Sequence, residues 1–158
     1  MCIRDSSYDD YSFGTTTDTL TVTVTDTASN SITQDLAISV TKSDDQSPAI
    51  SSFTADDTTV QLKTSSQSQT VTFTVVATDN VGVSSVSLPG TTTGSVSGNN
   101  YTFTKTYSYA SYNWGSNTDV LTATATDAAG NTQTQQLTVT ITKTDDEDPV
   151  ITLSLIHI

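Results

Sequence analysis

The chain has 158 residues and a formal net charge of −12, from 17 acidic and 5 basic side chains. Thr occurs 35 times and Ser 22 times, whereas Gly, Pro and Cys number only 7, 3 and 1. That composition excludes a collagen-like rod, an internal disulfide and a Cys/His zinc cluster, and it argues against a Pro-rich stalk or a helical bundle. No apolar run approaches the length of a transmembrane helix, no signal peptide is read, and the acidic excess predicts repulsion from nucleic acid and anionic membranes.

Residues 1–6 and residues 153–158 are codable by two DNA strings that are reverse complements of each other. The strings resemble the mosaic-end adapter of transposon-based sequencing libraries. Both ends are therefore read as adapter artefact and set aside before fold reasoning. What remains, 7–152, reads as a natural fragment of a longer protein.

Residues 7–51 align without a gap to residues 108–152 at an offset of 101, with 22 of 45 positions identical. Tyr8/Tyr109, Tyr11/Tyr112, Gly14/Gly115, Asp18/Asp119, Asp26/Asp127, Asn30/Asn131, Lys42/Lys143, Asp44/Asp145 and Pro48/Pro149 are among the pairs, and Phe13 faces Trp114 in the alignment. A long fixed period marks an array of domains. The chain is accordingly read as 7–46, the C-terminal half of a preceding repeat supplying about two strands; 47–150, a nearly complete domain; and 151–158, the start of a next repeat that passes into adapter sequence at 153. The half repeat places Leu20, Val22, Leu36, Ile38 and Val40 on an apolar face that it cannot bury alone.

Within 47–150 the strands follow in order. Residues 49–54 form a short strand, which 60–63 continue beyond a break at Asp56-Asp57. Residues 70–78 alternate Val71, Phe73, Val75 and Ala77 with Thr, the period-two pattern of a half-buried strand. Asp79-Asn80 opens a turn, 83–88 is a third strand stopped by Pro89-Gly90, and 95–97 is a short edge strand. Residues 101–107 place Tyr101, Phe103, Lys105 and Tyr107 on one face. A longer connection with Tyr109, Tyr112 and Trp114 leads to a closing pair, 119–126 and 132–142, with Leu137, Val139 and Ile141 on one face and Thr on the other. About seven strands in about 100 residues predict an all-β, immunoglobulin-like antiparallel β-sandwich.

The segment Val75-Val76-Ala77-Thr78-Asp79-Asn80-Val81-Gly82-Val83 resembles the early turn of bacterial immunoglobulin-like domains. Asp127-Ala128-Ala129-Gly130-Asn131, the strand after it, and Asp145-Asp146-Glu147-Asp148-Pro149 resemble their closing hairpin and linker. Cadherin-like repeats are similar in their Asp-rich linkers. The chain lacks both the paired cysteines of antibody-type domains and the full cadherin calcium pattern. The resemblance implies tandem extension modules of large secreted adhesins and surface proteins, hence an extracellular or cell-surface location and neighbouring repeats as partners.

Strand direction brings the Asp79-Asn80 and Asp127–Asn131 turns to the pole where the linker Asp44-Asp45 enters. Calcium takes six to eight hard oxygens, so Asp44, Asp45, Asp79 and Asp127, with Asn131, are the candidate calcium ligands. Turn capping by the same side chains is the competing reading, favoured over ligation for Asn131 and Asn30. Without a cation the carboxylates are expected to raise one another's pKa. Asp145-Asp146-Glu147-Asp148 would serve a following domain, and Asp56-Asp57 reads first as a solvated kink.

No catalytic constellation is found: outside the adapter-like ends there is no His or Cys, no Gly-rich phosphate loop and no Ser elbow. The expected function is therefore non-enzymatic and mechanical, with repeats holding a binding tip away from the envelope. The alternatives are a carbohydrate-binding or adhesive module using Tyr109, Tyr112 and Trp114, and an accessory domain of a secreted hydrolase.

Overall fold

The computed structural model describes residues 10–151, so the expectations for 1–6 and 153–158 lie outside the described residues. The chain divides into two compact units between Asp45 and Gln46.

The first unit is a β-hairpin. Strand β1 (Gly14–Thr25) pairs antiparallel with β2 (Ser31–Lys42), in a register running from Gly14↔Lys42 to Thr25↔Ser31. Side chains alternate across a strand. One face therefore collects Leu20, Val22 and Val24 with Ile32, Leu36 and Ile38, and the other is mostly Thr and Ser. Val22, Val24, Ile32 and Leu36 are between 59% and 73% exposed, and they line an open groove on the hairpin.

The second unit has eight strands: β3 (Ala49–Ala55), β4 (Thr59–Leu62), β5 (Ser68–Thr78), β6 (Val83–Ser87), β7 (Thr92–Ser97), β8 (Asn100–Ser108), β9 (Gly115–Asp127) and β10 (Thr132–Lys143). They form two four-stranded sheets, ordered β3-β5-β8-β7 and β4-β10-β9-β6. One buried core receives side chains from both sheets: Phe53, Phe73 and Phe103 from the first, Leu62, Leu121 and Ile141 from the second. Val71, Phe73, Val75 and Ala77 are fully buried, as the alternation in β5 requires, while the intervening Thr side chains face outward. The architecture is all-β, and the pairing is antiparallel with one exception.

That exception corrects the sequence reading. Residues 59–62 do not extend the first strand within its own sheet. At Asp56-Asp57 the chain crosses to the other sheet, where β4 pairs parallel with β10. The polypeptide keeps its direction through the kink, so β4 runs alongside a strand of the same sense. Two hydrogen-bonded carboxylates hold the kink. Asp56 accepts the Thr72 N–H at 2.9 Å, while Asp57 accepts the Thr59 N–H at 2.7 Å and the Gln69 amide at 2.7 Å. These bonds, the Thr59 N–H first, hold the Asp57 carboxyl below its ordinary range. The crossing turns the expected seven strands into eight.

Candidate metal centre

The β9–β10 turn fixes Asp127. Its backbone N–H donates to the Asn131 carbonyl at 3.1 Å, and its two carboxylate oxygens accept the Asn131 N–H and side-chain amide, each at 2.8 Å. Gly130 sits in this turn at φ +92°, a conformation that glycine adopts without a Cβ clash. Asp127 is 3% exposed, the one charged side chain buried among the described residues. Burial by itself would raise its pKa; the Asn131 amide and the N–H groups of Asn131, Gly130 and Ala129 outweigh that, and the carboxyl is lowered. The elevation expected at Asp127 is thus corrected: hydrogen bonds to its charged form outweigh burial.

Asp79 closes the β5–β6 turn. One of its oxygens accepts the N–H groups of Val81 and Gly82 at 2.8 and 2.9 Å. Its other oxygen is shielded from solvent and accepts no hydrogen bond among the described residues. The Asn131 amide also donates to the Gln46 carbonyl at 3.1 Å, which ties the start of the unit to the same turn.

Asp44 lies in the connecting segment, two residues before Gln46. Within the second unit, one carboxylate oxygen of Asp79 and one of Asp127 lie within 4.8 Å of each other. Two oxygens on one calcium ion at about 2.3–2.6 Å are at most about 5 Å apart. These two carboxylates are compatible with binding one divalent metal ion. Asp45 is exposed. Asn131 contributes its amide as a donor to Asp127, a turn role.

The aromatic candidates separate into two contacts. Tyr109 and Trp114 meet edge to face at 5.8 Å, whereas Tyr112 packs on buried Tyr107 at 6.0 Å. Lys143 lies 4.1 Å from the Tyr109 ring centroid and 5.0 Å from that of Trp114, and its ammonium donates to the Tyr112 carbonyl at 2.9 Å. A cation held over both rings is a favourable packing arrangement in its own right. Trp114 is nonetheless 61% exposed.

Sequence reasoning missed a polar tie between the two sheets. Lys105 and Tyr107 on β8 both reach one oxygen of Asp119 on β9, at 2.7 and 2.9 Å. Burial, then the Asp119 bond, pushes the Tyr107 hydroxyl far up. The only signal in the sequence was the duplicated Asp18/Asp119 pair.

No family model matches the chain, and no curated protein sequence matches it. Among the described residues no helix is long and apolar enough to cross a membrane.

Proposed function

We propose that the chain is a segment of a tandem array of immunoglobulin-like β-sandwich repeats, serving as a structural extension module of an extracellular bacterial adhesin or surface protein. In this reading β1–β2 is the closing hairpin of one repeat and the second unit is the next repeat. A calcium ion at Asp44, Asp79 and Asp127 stiffens the connector. The role is mechanical, and the partners are neighbouring repeats of the same polypeptide.

One observation carries the proposal: the two hairpins share their register, their turn bonds and their lysine contacts. Both have the same register, Gly14↔Lys42 and Gly115↔Lys143. In the first turn the Asp26 N–H donates to the Asn30 carbonyl, and the Asp26 carboxylate takes the Asn30 N–H and amide at 2.8 and 2.9 Å, as Asp127 does with Asn131. Lys42 donates to the Tyr11 carbonyl at 3.0 Å and lies over the Phe13 ring at 4.6 Å, as Lys143 does with Tyr112 and Trp114. Calcium is favoured over a smaller ion because its flexible coordination suits carboxylates already bonded within turns, with carbonyls and water completing the shell.

The test is to rebuild the repeat. Residue 7 corresponds to residue 108, so a second copy of residues 46–107 is placed directly before residue 7. The β1–β2 amides should then exchange as slowly as those of β9–β10, and dye binding to exposed apolar surface should fall. An added segment that stays unfolded, with β1–β2 unprotected, overturns the array reading. In the same rebuilt chain calcium should raise the melting temperature, with a dissociation constant of about 10⁻⁴–10⁻³ M. At tenfold excess over that constant the gain is about 1.4 kcal/mol. Asp79→Asn with Asp127→Asn should abolish the gain; a gain that survives both places the ion elsewhere.

A further inference from the structure

The four residues after β10 do not leave the second unit freely. The Thr144 N–H donates to the Leu62 carbonyl at 2.9 Å, and the Asp146 N–H to the Lys63 carbonyl at 3.1 Å, so pairing alongside β4 continues beyond the last strand. Glu147 turns back onto the β4–β5 loop, where one carboxylate oxygen accepts both the N–H and the hydroxyl of Ser65, at 2.8 and 3.0 Å. The Glu147 N–H in turn donates to Asp145 at 3.0 Å. Lys63 and Asp146 form an ion pair at 3.3 Å. Gln67 braces the loop, taking the Lys63 N–H on its side-chain oxygen and donating to the Gln61 carbonyl at 3.0 Å.

We propose that residues 144–147 form a metal-free clamp that fixes the course of the chain as it leaves the unit, with Glu147 and Ser65 as its locking pair. The linker acids are then divided in their work. Glu147 and Asp146 belong to the repeat they leave, and Asp145, the counterpart of Asp44, is the acid that a following repeat would use. A junction in such an array has a cation-dependent hold on the entering side and a cation-independent hold on the leaving side. That use between repeats rests on the array reading; the clamp itself concerns the second unit alone. Ser65 and Glu147 are exposed as well, but two directed, charge-assisted bonds from one residue fix their geometry, whereas the ion pair is a single contact. Lys63 and Asp146 are both about half exposed, so their attraction is weak and screened by salt.

Amide hydrogen exchange on the full chain, resolved by residue and run in chelator and in calcium, is the test. The amides of Ser65, Thr144 and Asp146 should be protected equally in both conditions. Glu147→Ala should speed exchange at Ser65 and Asp146 about tenfold, the loss of a charge-assisted bond, while the Val139 and Ile141 amides stay unchanged. Lys63→Ala should change the same amides less than about twofold. Exchange of Ser65 and Asp146 at unstructured-chain rates in the unaltered protein overturns the clamp. So does protection that appears only with calcium, or a Glu147→Ala variant with no effect. Rebuilding the preceding repeat leaves these amides as they are, so the clamp and the array reading fail separately.

Discussion

The hairpins β1–β2 and β9–β10 share their register, their turn bonds and their lysine contacts, yet their surfaces differ sharply. Leu121, Ala123 and Val139 are at most 3% exposed beneath the opposite sheet. Their counterparts include Val22 and Ile38, which are 59% and 39% exposed. Local structure is thus set by local chemistry: an Asp that bonds the residue four positions on closes each turn, and alternation sorts the faces. Burial is set by what lies opposite. Among the described residues of its own unit the hairpin has no facing sheet, and a two-stranded ribbon alone is marginal in water.

The largest expected effect comes from the same substitution at paired positions. Leu121→Ala should destabilise the second unit by about 2–5 kcal/mol, because it deletes packed methyl groups and leaves a cavity. Leu20→Ala, its counterpart in β1, should leave that unit's denaturant midpoint unchanged. Equal losses at both positions would break the contrast in burial.

Acid should divide the turns next. Asp127 and Asp57 have pKa values held below the ordinary 3.8 in the folded second unit. Their contribution to stability is therefore fully present above that value and lost as pH falls through the lowered folded-state values. Acid unfolding in chelator, followed by circular dichroism, should be less steep for Asp127→Asn. Asp26 is lowered in the same direction by the Asn30 side chain and backbone. Asp26→Asn should nevertheless leave the second unit's acid transition in place, because its turn belongs to the other hairpin.

A smaller effect should sharpen the comparison at one position. Ser29 takes φ +69° where its counterpart Gly130 takes φ +92°. Gly130→Ser should cost about 1–2 kcal/mol in a denaturant melt, the penalty of a Cβ in a left-handed conformation. Ser29→Gly should instead slow amide exchange in the first turn. The opposite order would mean that the two turns are not equivalent.

Much of this was legible in the sequence. Alternation placed β5, β8, β9 and β10 within a few residues, and Asp-Asn pairs placed the turns. Strand direction was enough to bring Asp79 and Asp127 together. The kink at Asp56-Asp57 was visible as a break, but not as a change of sheet, because the side-chain period of β4 is the same in either sheet. Tyr107, Tyr109, Tyr112 and Trp114 were legible as one aromatic group, but not its division into a Tyr107–Tyr112 contact and a Tyr109–Trp114 contact. The Lys105–Asp119 tie joins strands of different sheets and leaves no periodic trace.

By itself, then, the sequence determined the strands, the turns and the duplication, since each depends on residues within one turn or one strand pair. Tertiary structure decided which apolar faces are buried and which sheet β4 joins. Those outcomes depend on groups distant in the chain, whose approach changes solvation and hydrogen bonding at each site.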